Sequence, residues 1–266
     1  MSQTYSVYLD FLPDIVKTAA LRELMPRFAR IHQQFKADGS IVTEADHAMQ
    51  QALQTALQSR WPEIAFLGEE MSQAEQEHTL QTSLQGVWIV DPLDGTSNFS
   101  VGVGYFAVSI ALILNGQIEL GLVYDPVRDE CFTAQRGRGA KLNAAELTLA
   151  ALHDVDKLTI GLVDFKRLSP ELAGKLAIKP PYKSQRSFGS VALDWCWIAA
   201  GRGEVSVHGK QKLWDYAAGH LILSEAGGFS ATLDGDAVYN RSLTPRSAVL
   251  AINQVLFDQW LSYLQC

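Results

Sequence analysis

The residues of this chain best placed to do chemistry lie between positions 87 and 99, VWIVDPLDGTSNF. Asp91 and Asp94 supply two carboxylates within four residues, and Gly95, Thr96, Ser97 and Asn98 follow as small polar residues that suit a turn with exposed backbone N–H groups. Oxygen ligands suit a hard divalent cation and an N–H-lined turn suits a phosphate, so the stretch can seat both together. The plain alternative is an ordinary Asp/Gly turn. The β-branched and aromatic residues 87–90 predict a short buried strand, which stops at Asp91-Pro92 because proline has no N–H for the ladder. The carboxylates therefore stand at a strand end.

Two further motifs go with it: Gly68-Glu69-Glu70 behind the apolar residues 64–67, and WDYAAGHLILSEAGG at 214–228. DPLDGT and these two, in this order over most of the chain, resemble the signature of the inositol monophosphatase family, the lithium-sensitive, magnesium-dependent phosphatases. A haloacid dehalogenase D-x-D-G-T box fails on spacing, since it needs an acid where Pro92 stands. The resemblance implies a mixed α+β fold of the α/β kind, a layered α-β-α-β-α sandwich of the sugar-phosphatase type. It implies one domain over 1–266, with an N-terminal lobe of about 1–145 and a C-terminal lobe of about 146–266 around a metal cleft. The implied activity is magnesium-dependent hydrolysis of a phosphate monoester, with myo-inositol monophosphate first. Glu69, Asp91 and the Leu93 carbonyl would hold one Mg²⁺, Asp91, Asp94 and Asp215 a second, and Glu69 a weaker third through water. Asp46, Thr96 and Glu69 would make the catalytic set, with Thr96 and Asp46 orienting the attacking water. The N–H groups of Gly95 and Thr96 would receive the phosphate. Asp94, Gly189, Ser190 and His208 would line the alcohol pocket, the middle pair lying in RSFGS (186–190), which resembles the family's R-x-x-G-[ST] segment.

Most of these residues also have a purely structural reading. Thr43 suits the N-cap of a helix over 43–58, with Asp46 at the N3 position of a capping box. Asp215 suits the N-terminus of an apolar helix that ends at Gly227-Gly228. Gly189 and Ser190 suit a turn before a capped helix, and Glu70 is either an outer acid or a surface charge. Position 208 departs from the family: the inositol enzymes commonly place a hydroxyl-binding glutamate seven residues before the third metal aspartate, and here His208 stands there, followed by Lys210 and Lys212. A lone histidine at the surface is the plain reading. If it meets the leaving group, a neutral imidazole offers one donor and one acceptor, which implies broad specificity and a shift towards inositol phosphate in His208→Glu. The basic neighbours suit a second phosphate. The rival activities are thus a 3′(2′),5′-bisphosphate nucleotidase or a fructose-1,6-bisphosphatase-like enzyme, although Ser97 and Asn98 replace the lysine and acid that nucleotide 3′-phosphatases carry after GT. A protein that keeps the scaffold and metal but serves as a regulatory binding partner is the rival from another class.

Composition narrows the setting. The 266 residues are 47% hydrophobic and 19% charged, enough for one large domain or two lobes sharing a cleft. A net charge of −7 argues against nucleic acid and anionic membranes as partners, leaving a small phosphate ester and, by resemblance, a second copy in a homodimer. Three widely spaced cysteines predict no disulfide framework, and neither a signal peptide nor a membrane span is expected, so the cytoplasm is the expected location. Amphipathic spacing predicts one or two helices over 8–34, interrupted near Pro26, then a turn at 36–39. Residues 71–84 predict a solvated helix or loop. Residues 105–124 predict a hairpin about Asn115-Gly116, and 125–143 one further strand. A connector at 146–154 leads to strands near 158–165 and 248–252 and helices from Ser169, over 190–200 and over 255–264.

Overall fold

The computed structural model describes residues 6–30, 34–35, 41–152 and 157–265. Strands form where the sequence is apolar on both faces. Within Gly86–Asp94, Val87 and Ile89 pack to one side and Trp88 and Val90 to the other. In Ala107–Leu114 the same split separates Ala111 and Ile113 from Ile110 and Leu112. A sheet covered on both faces has no solvent side, which is why these strands read as unbroken apolar runs. Asn115 (φ 49°) and Gly116 (φ 80°) turn the chain into Gln117–Asp125, both with the positive φ that a type I′ hairpin requires.

This sheet has seven strands, in the order Ala65–Gly68, Gly86–Asp94, Ala107–Leu114, Gln117–Asp125, Glu130–Gln135, Ala140–Leu142 and Ala145–Leu147, and only the first pair is parallel. Segment 125–143 supplies two strands rather than the expected one, and the expected connector begins with the edge strand and a 3-10 turn at Ala150–Leu152. The second sheet has five strands, in the order Ser184–Arg186, Ile160–Asp164, Val205–Gln211, Arg246–Ala251 and Phe229–Ala231. Ile160–Asp164 runs parallel to both neighbours, in a register that sets Asp164 opposite His208.

Helices fill the layers around the sheets. Leu12–Glu23 and Glu44–Arg60 cover the outer face of the larger sheet through Leu12, Val16, Met49 and Leu53. Val191–Ala199 and Leu213–Glu225 lie between the sheets, burying Trp195, Ala218 and Leu221 in the core that joins them. Gln254–Gln265 backs the smaller sheet through Leu256 and Trp260, with Pro170–Ile178 beside it, tied by a Lys175 hydrogen bond to the Tyr263 carbonyl. The order is α-β-α-β-α, as the resemblance implies. Leu12–Glu23 ends just before Pro26, and 71–84 folds as the helix Gln73–Thr82, opened by a Ser72/Glu75 capping box. The turn expected at 36–39 lies outside the described residues. Among the described residues Cys131 and Cys196 are free thiols, and no helix is long and apolar enough to cross a membrane.

Candidate active site

The site begins where the two parallel strands of the larger sheet end. Gly68 pairs with Val90, so Glu69 and Asp91 follow side by side where the parallel pairing ends, and the Glu69 N–H donates to the Val90 carbonyl at 3.0 Å. The second strand does not stop at Pro92 as expected. It continues to Asp94 through a register shift after Asp91, and Pro92 sits in that irregularity, where the ladder needs no N–H. Asp91 is 2% exposed and accepts the Leu93 N–H at 3.0 Å. Gly95 (φ 94°) then caps the helix Thr96–Val101, so the residues expected to form a turn open a helix. The Thr96 hydroxyl lies 2.9 Å from Asp46 Oδ1 and 3.0 Å from the Leu93 carbonyl oxygen.

Three carboxylates are held at helix N-termini, Asp46 and Asp215 in capping boxes and Asp94 by the first turn of a helix that Ser190 caps. Asp46 accepts the Thr43 N–H (2.8 Å) and hydroxyl (2.6 Å) on Oδ2, leaving Oδ1 for Thr96. Asp215 accepts the Lys212 N–H at 2.8 Å, and it joins Glu69 and Asp91 in a trio whose oxygens lie within 4.8 Å of one another. Asp94 lies outside that trio. Its Oδ2 accepts the Ser190 hydroxyl and the Ala192 N–H, both at 2.6 Å, from the start of Val191–Ala199. Ser190 is fully buried, and its hydroxyl also accepts the Leu193 N–H. The Ser190 hydroxyl proton is thus committed to Asp94, so Ser190 holds that carboxylate while also lining the cavity expected to receive the alcohol.

Burial sets the electrostatics. Asp91 is pushed well above the usual carboxylate range by burial, then by the charges of Glu69, Asp94 and Asp215. Burial followed by Glu69 and Asp94 does the same to Asp215. Burial raises Asp94 to about 6 against the opposing hydrogen bonds from Ser190 and Ala192, and it raises Asp46 against those from Thr43 and Thr96. Buried acids that repel one another are unfavourable alone, and a divalent cation among them removes the penalty. The trio offers only oxygen, the donor magnesium prefers, so the residues present fit that ion.

Three polar side chains fix this geometry, two of which, Gln50 and Gln76, carried no signal in the sequence. Gln50 accepts the Glu70 N–H at 2.9 Å, and Gln76 donates to the Gly68 and Glu69 carbonyls at 3.0 Å. A Cβ on Gly68 would lie 2.2 Å from Gln50 Oε1, so only glycine admits this approach. Asn98 donates at 2.7 Å to the carbonyls of Tyr105 and Phe188, tying the Thr96–Val101 helix to the segment before Gly189.

A cavity of ≈ 600 Å³ opens over the trio, and Asp164, Lys166, Arg167, Gly189, His208 and Lys210 also line it. His208 is not a surface residue. It is 8% exposed, its Nε2 lies 2.9 Å from Asp164 Oδ2, and its Nδ1 accepts the Lys210 N–H at 3.3 Å. Burial works to raise Asp164, but the His208 hydrogen bond, the Lys166 N–H and Arg167 together hold it below the usual range. Lys212 is not among the residues lining the cavity; its Nζ lies 5.2 Å from the Trp214 ring centroid and its charge opposes the raising of Asp215.

Two helix-covered sheets and a carboxylate trio clustered beside an irregular strand end define a sugar-phosphatase-type sandwich. The chain belongs to the inositol monophosphatase family, whose sequence profile matches residues 9–265. A relative named Nus factor SuhB from Pasteurella multocida is 38% identical over 209 residues, 77% of this chain and 76% of that protein. An inositol-1-monophosphatase from Mesorhizobium japonicum is 35% identical over 235 residues, 83% of this chain and 81% of that one. A solved structure described as an IMPase/NADP phosphatase complexed with Mg²⁺ and phosphate superposes with a TM-score of 0.81 at 25% identity, covering 98% of this chain and 94% of the other.

Proposed function

We propose that this protein hydrolyses phosphate monoesters of polyhydroxy alcohols in a magnesium-dependent reaction, with myo-inositol 1-phosphate as the leading substrate. The observation that carries the proposal is the clustered Glu69, Asp91 and Asp215 trio, with Asp91 buried at its centre, beside the Thr96–Asp46 hydrogen bond. The trio, with Asp94 and the Leu93 carbonyl, would hold two to three magnesium ions, which when bound neutralise phosphoryl oxygens, activate water and stabilise the leaving alkoxide. Thr96 has one proton to donate, to Asp46 or to the Leu93 carbonyl, so its lone pairs are left to accept from a water and aim it. The N–H groups of Gly95 and Thr96 are the proposed phosphate donors.

Two other readings each have support. Lys166, Arg167 and Lys210 line the cavity as cations, which favours a substrate with a second phosphate, of the nucleotide bisphosphate or fructose 1,6-bisphosphate kind. The relative named Nus factor SuhB supports an added regulatory role, compatible with the intact trio. Val101, Val103 and Val127 are exposed, with Val127 packed against Gly104, and this apolar patch supports a homodimer.

The test is phosphate release over a panel of inositol, sugar, nucleotide and bisphosphate esters, with magnesium or with excess chelator. The expected result is turnover with magnesium alone, inhibited by lithium, and inositol phosphate ahead of the others by a modest margin. Turnover undiminished in chelator would sink the proposal, and a clear preference for a bisphosphate would promote the second reading.

A further inference from the structure

We infer that Asp164, positioned by His208, is the acceptor that binds a hydroxyl of the substrate's polyhydroxy leaving group; the inference rests on the phosphomonoesterase reading above. Asp164 ends the strand Ile160–Asp164 and is the register partner of His208 on the adjacent strand, so the two side chains meet on the cavity wall. Both ring nitrogens of His208 already have partners within the protein, Asp164 at Nε2 and the Lys210 N–H at Nδ1. With Nδ1 accepting, the proton sits on Nε2 and points at Asp164. The ring therefore has neither a donor nor an acceptor left for a ligand, and the direct contact expected of His208 moves to its neighbour.

Asp164 has capacity to spare. Its Oδ2 faces His208 and its Oδ1 accepts the Lys166 N–H at 2.9 Å, which uses two of about four lone-pair sites on a carboxylate. Its side chain is 28% exposed, against 10% for His208. Lys166, Arg167 and Lys210 on the same wall are donors only. An alcohol O–H arriving there finds its acceptor in Asp164, in a charge-assisted hydrogen bond. The carboxylate that the family resemblance places at 208 is thus supplied from the next strand, and His208 fixes its orientation.

The experiment compares kcat/KM for myo-inositol 1-phosphate with that for phenyl phosphate, whose leaving group carries no further hydroxyl, using the full chain with magnesium. Asp164→Asn keeps an oxygen for the Lys166 N–H but replaces half of the acceptor face with a donor. The expected result is a fall of about tenfold in the inositol-to-phenyl ratio, carried by KM rather than kcat. His208→Gln, which leaves Asp164 in place but frees its orientation, is expected to lower the same ratio by a smaller factor. A merely structural role would lower both esters together and leave the ratio alone, and melting temperatures of both variants report any loss of fold. An unchanged ratio in Asp164→Asn overturns the inference while leaving the phosphatase reading standing. A wild-type protein that hydrolyses neither ester overturns both.

Discussion

The two walls of the cavity use the same kind of side chain in opposite ways. On one, burial and like charges push Asp91, Asp94 and Asp215 up, and backbone N–H groups of the bulged strand and of two helix N-termini hold them. On the other, Asp164 is partly exposed, partnered by His208 and held down, with Lys166, Arg167 and Lys210 around it. The first wall has a charge repulsion that a bound cation relieves and rests on sheet and helix ends, so it is fixed before substrate arrives. The second is satisfied by itself and open to solvent, so it can vary with the alcohol without disturbing the chemistry. Under the proposed function, reaction and specificity fall to different elements of the fold.

The largest effect that separates the walls is expected at Asp91. Asp91→Asn can still accept the Leu93 N–H but removes a buried charge, so turnover should fall by at least about 10³-fold while the metal-free protein melts higher. Steady-state kinetics and melting curves in chelator check both halves, and near-normal turnover would erase the distinction drawn above. Thr96→Ala and Asp46→Asn should each lower kcat by about 10²-fold through the misplaced water. Asp46→Asn should also cost on the order of 1 kcal/mol as a weakened cap, and a variant that loses stability but no turnover would return Asp46 to capping alone.

The pH dependence of stability sharpens the contrast with a smaller effect. Asp94 is raised from 3.8 to about 6, so the folded state holds its proton more tightly than the unfolded chain does. The stability this lends is full below pH 3.8 and is lost as pH rises through about 6, worth about 3 kcal/mol at most. Asp164 has the opposite sign: its depressed value lends stability above 3.8 that is lost as pH falls through the folded pKa. In chelator, the melting temperature should therefore decline between about pH 4 and 7, less so in Asp94→Asn. Asp164→Asn should alter only the acid limb. A chelated wild type that gains stability across that window would contradict the assignment of the raised acids.

The sequence conveyed the first wall better than the second. Apolar runs, the Asn115-Gly116 turn and the capping patterns at Thr43 and Asp215 depend on neighbours a few residues apart, so local reasoning reaches them. The cap reading of Asp46 leaves room for the proposed site role, because Oδ2 takes the cap bonds from Thr43 and Oδ1 is left to the Thr96 hydroxyl. Pro92 misled, since proline ends a regular ladder but is tolerated in a bulge that carries the strand on to Asp94. The Asp164–His208 pair lies 44 positions apart in the chain and depends on the register of two parallel strands, which no spacing rule reveals. Gln50 and Gln76 look like solvated helix residues until their carbonyl and N–H partners at 68–70 are in place.

The most direct test of a cation held by buried acids is a magnesium titration of the melting temperature in the wild type and Asp91→Asn, which needs no knowledge of the substrate. Stabilisation by about 2.7 kcal/mol is expected for the wild type when free magnesium reaches a hundredfold excess over its Kd, with little or none in the variant. A wild-type melting temperature that magnesium leaves unmoved, or an equal rise in Asp91→Asn, would contradict the assignment of the trio as the metal site.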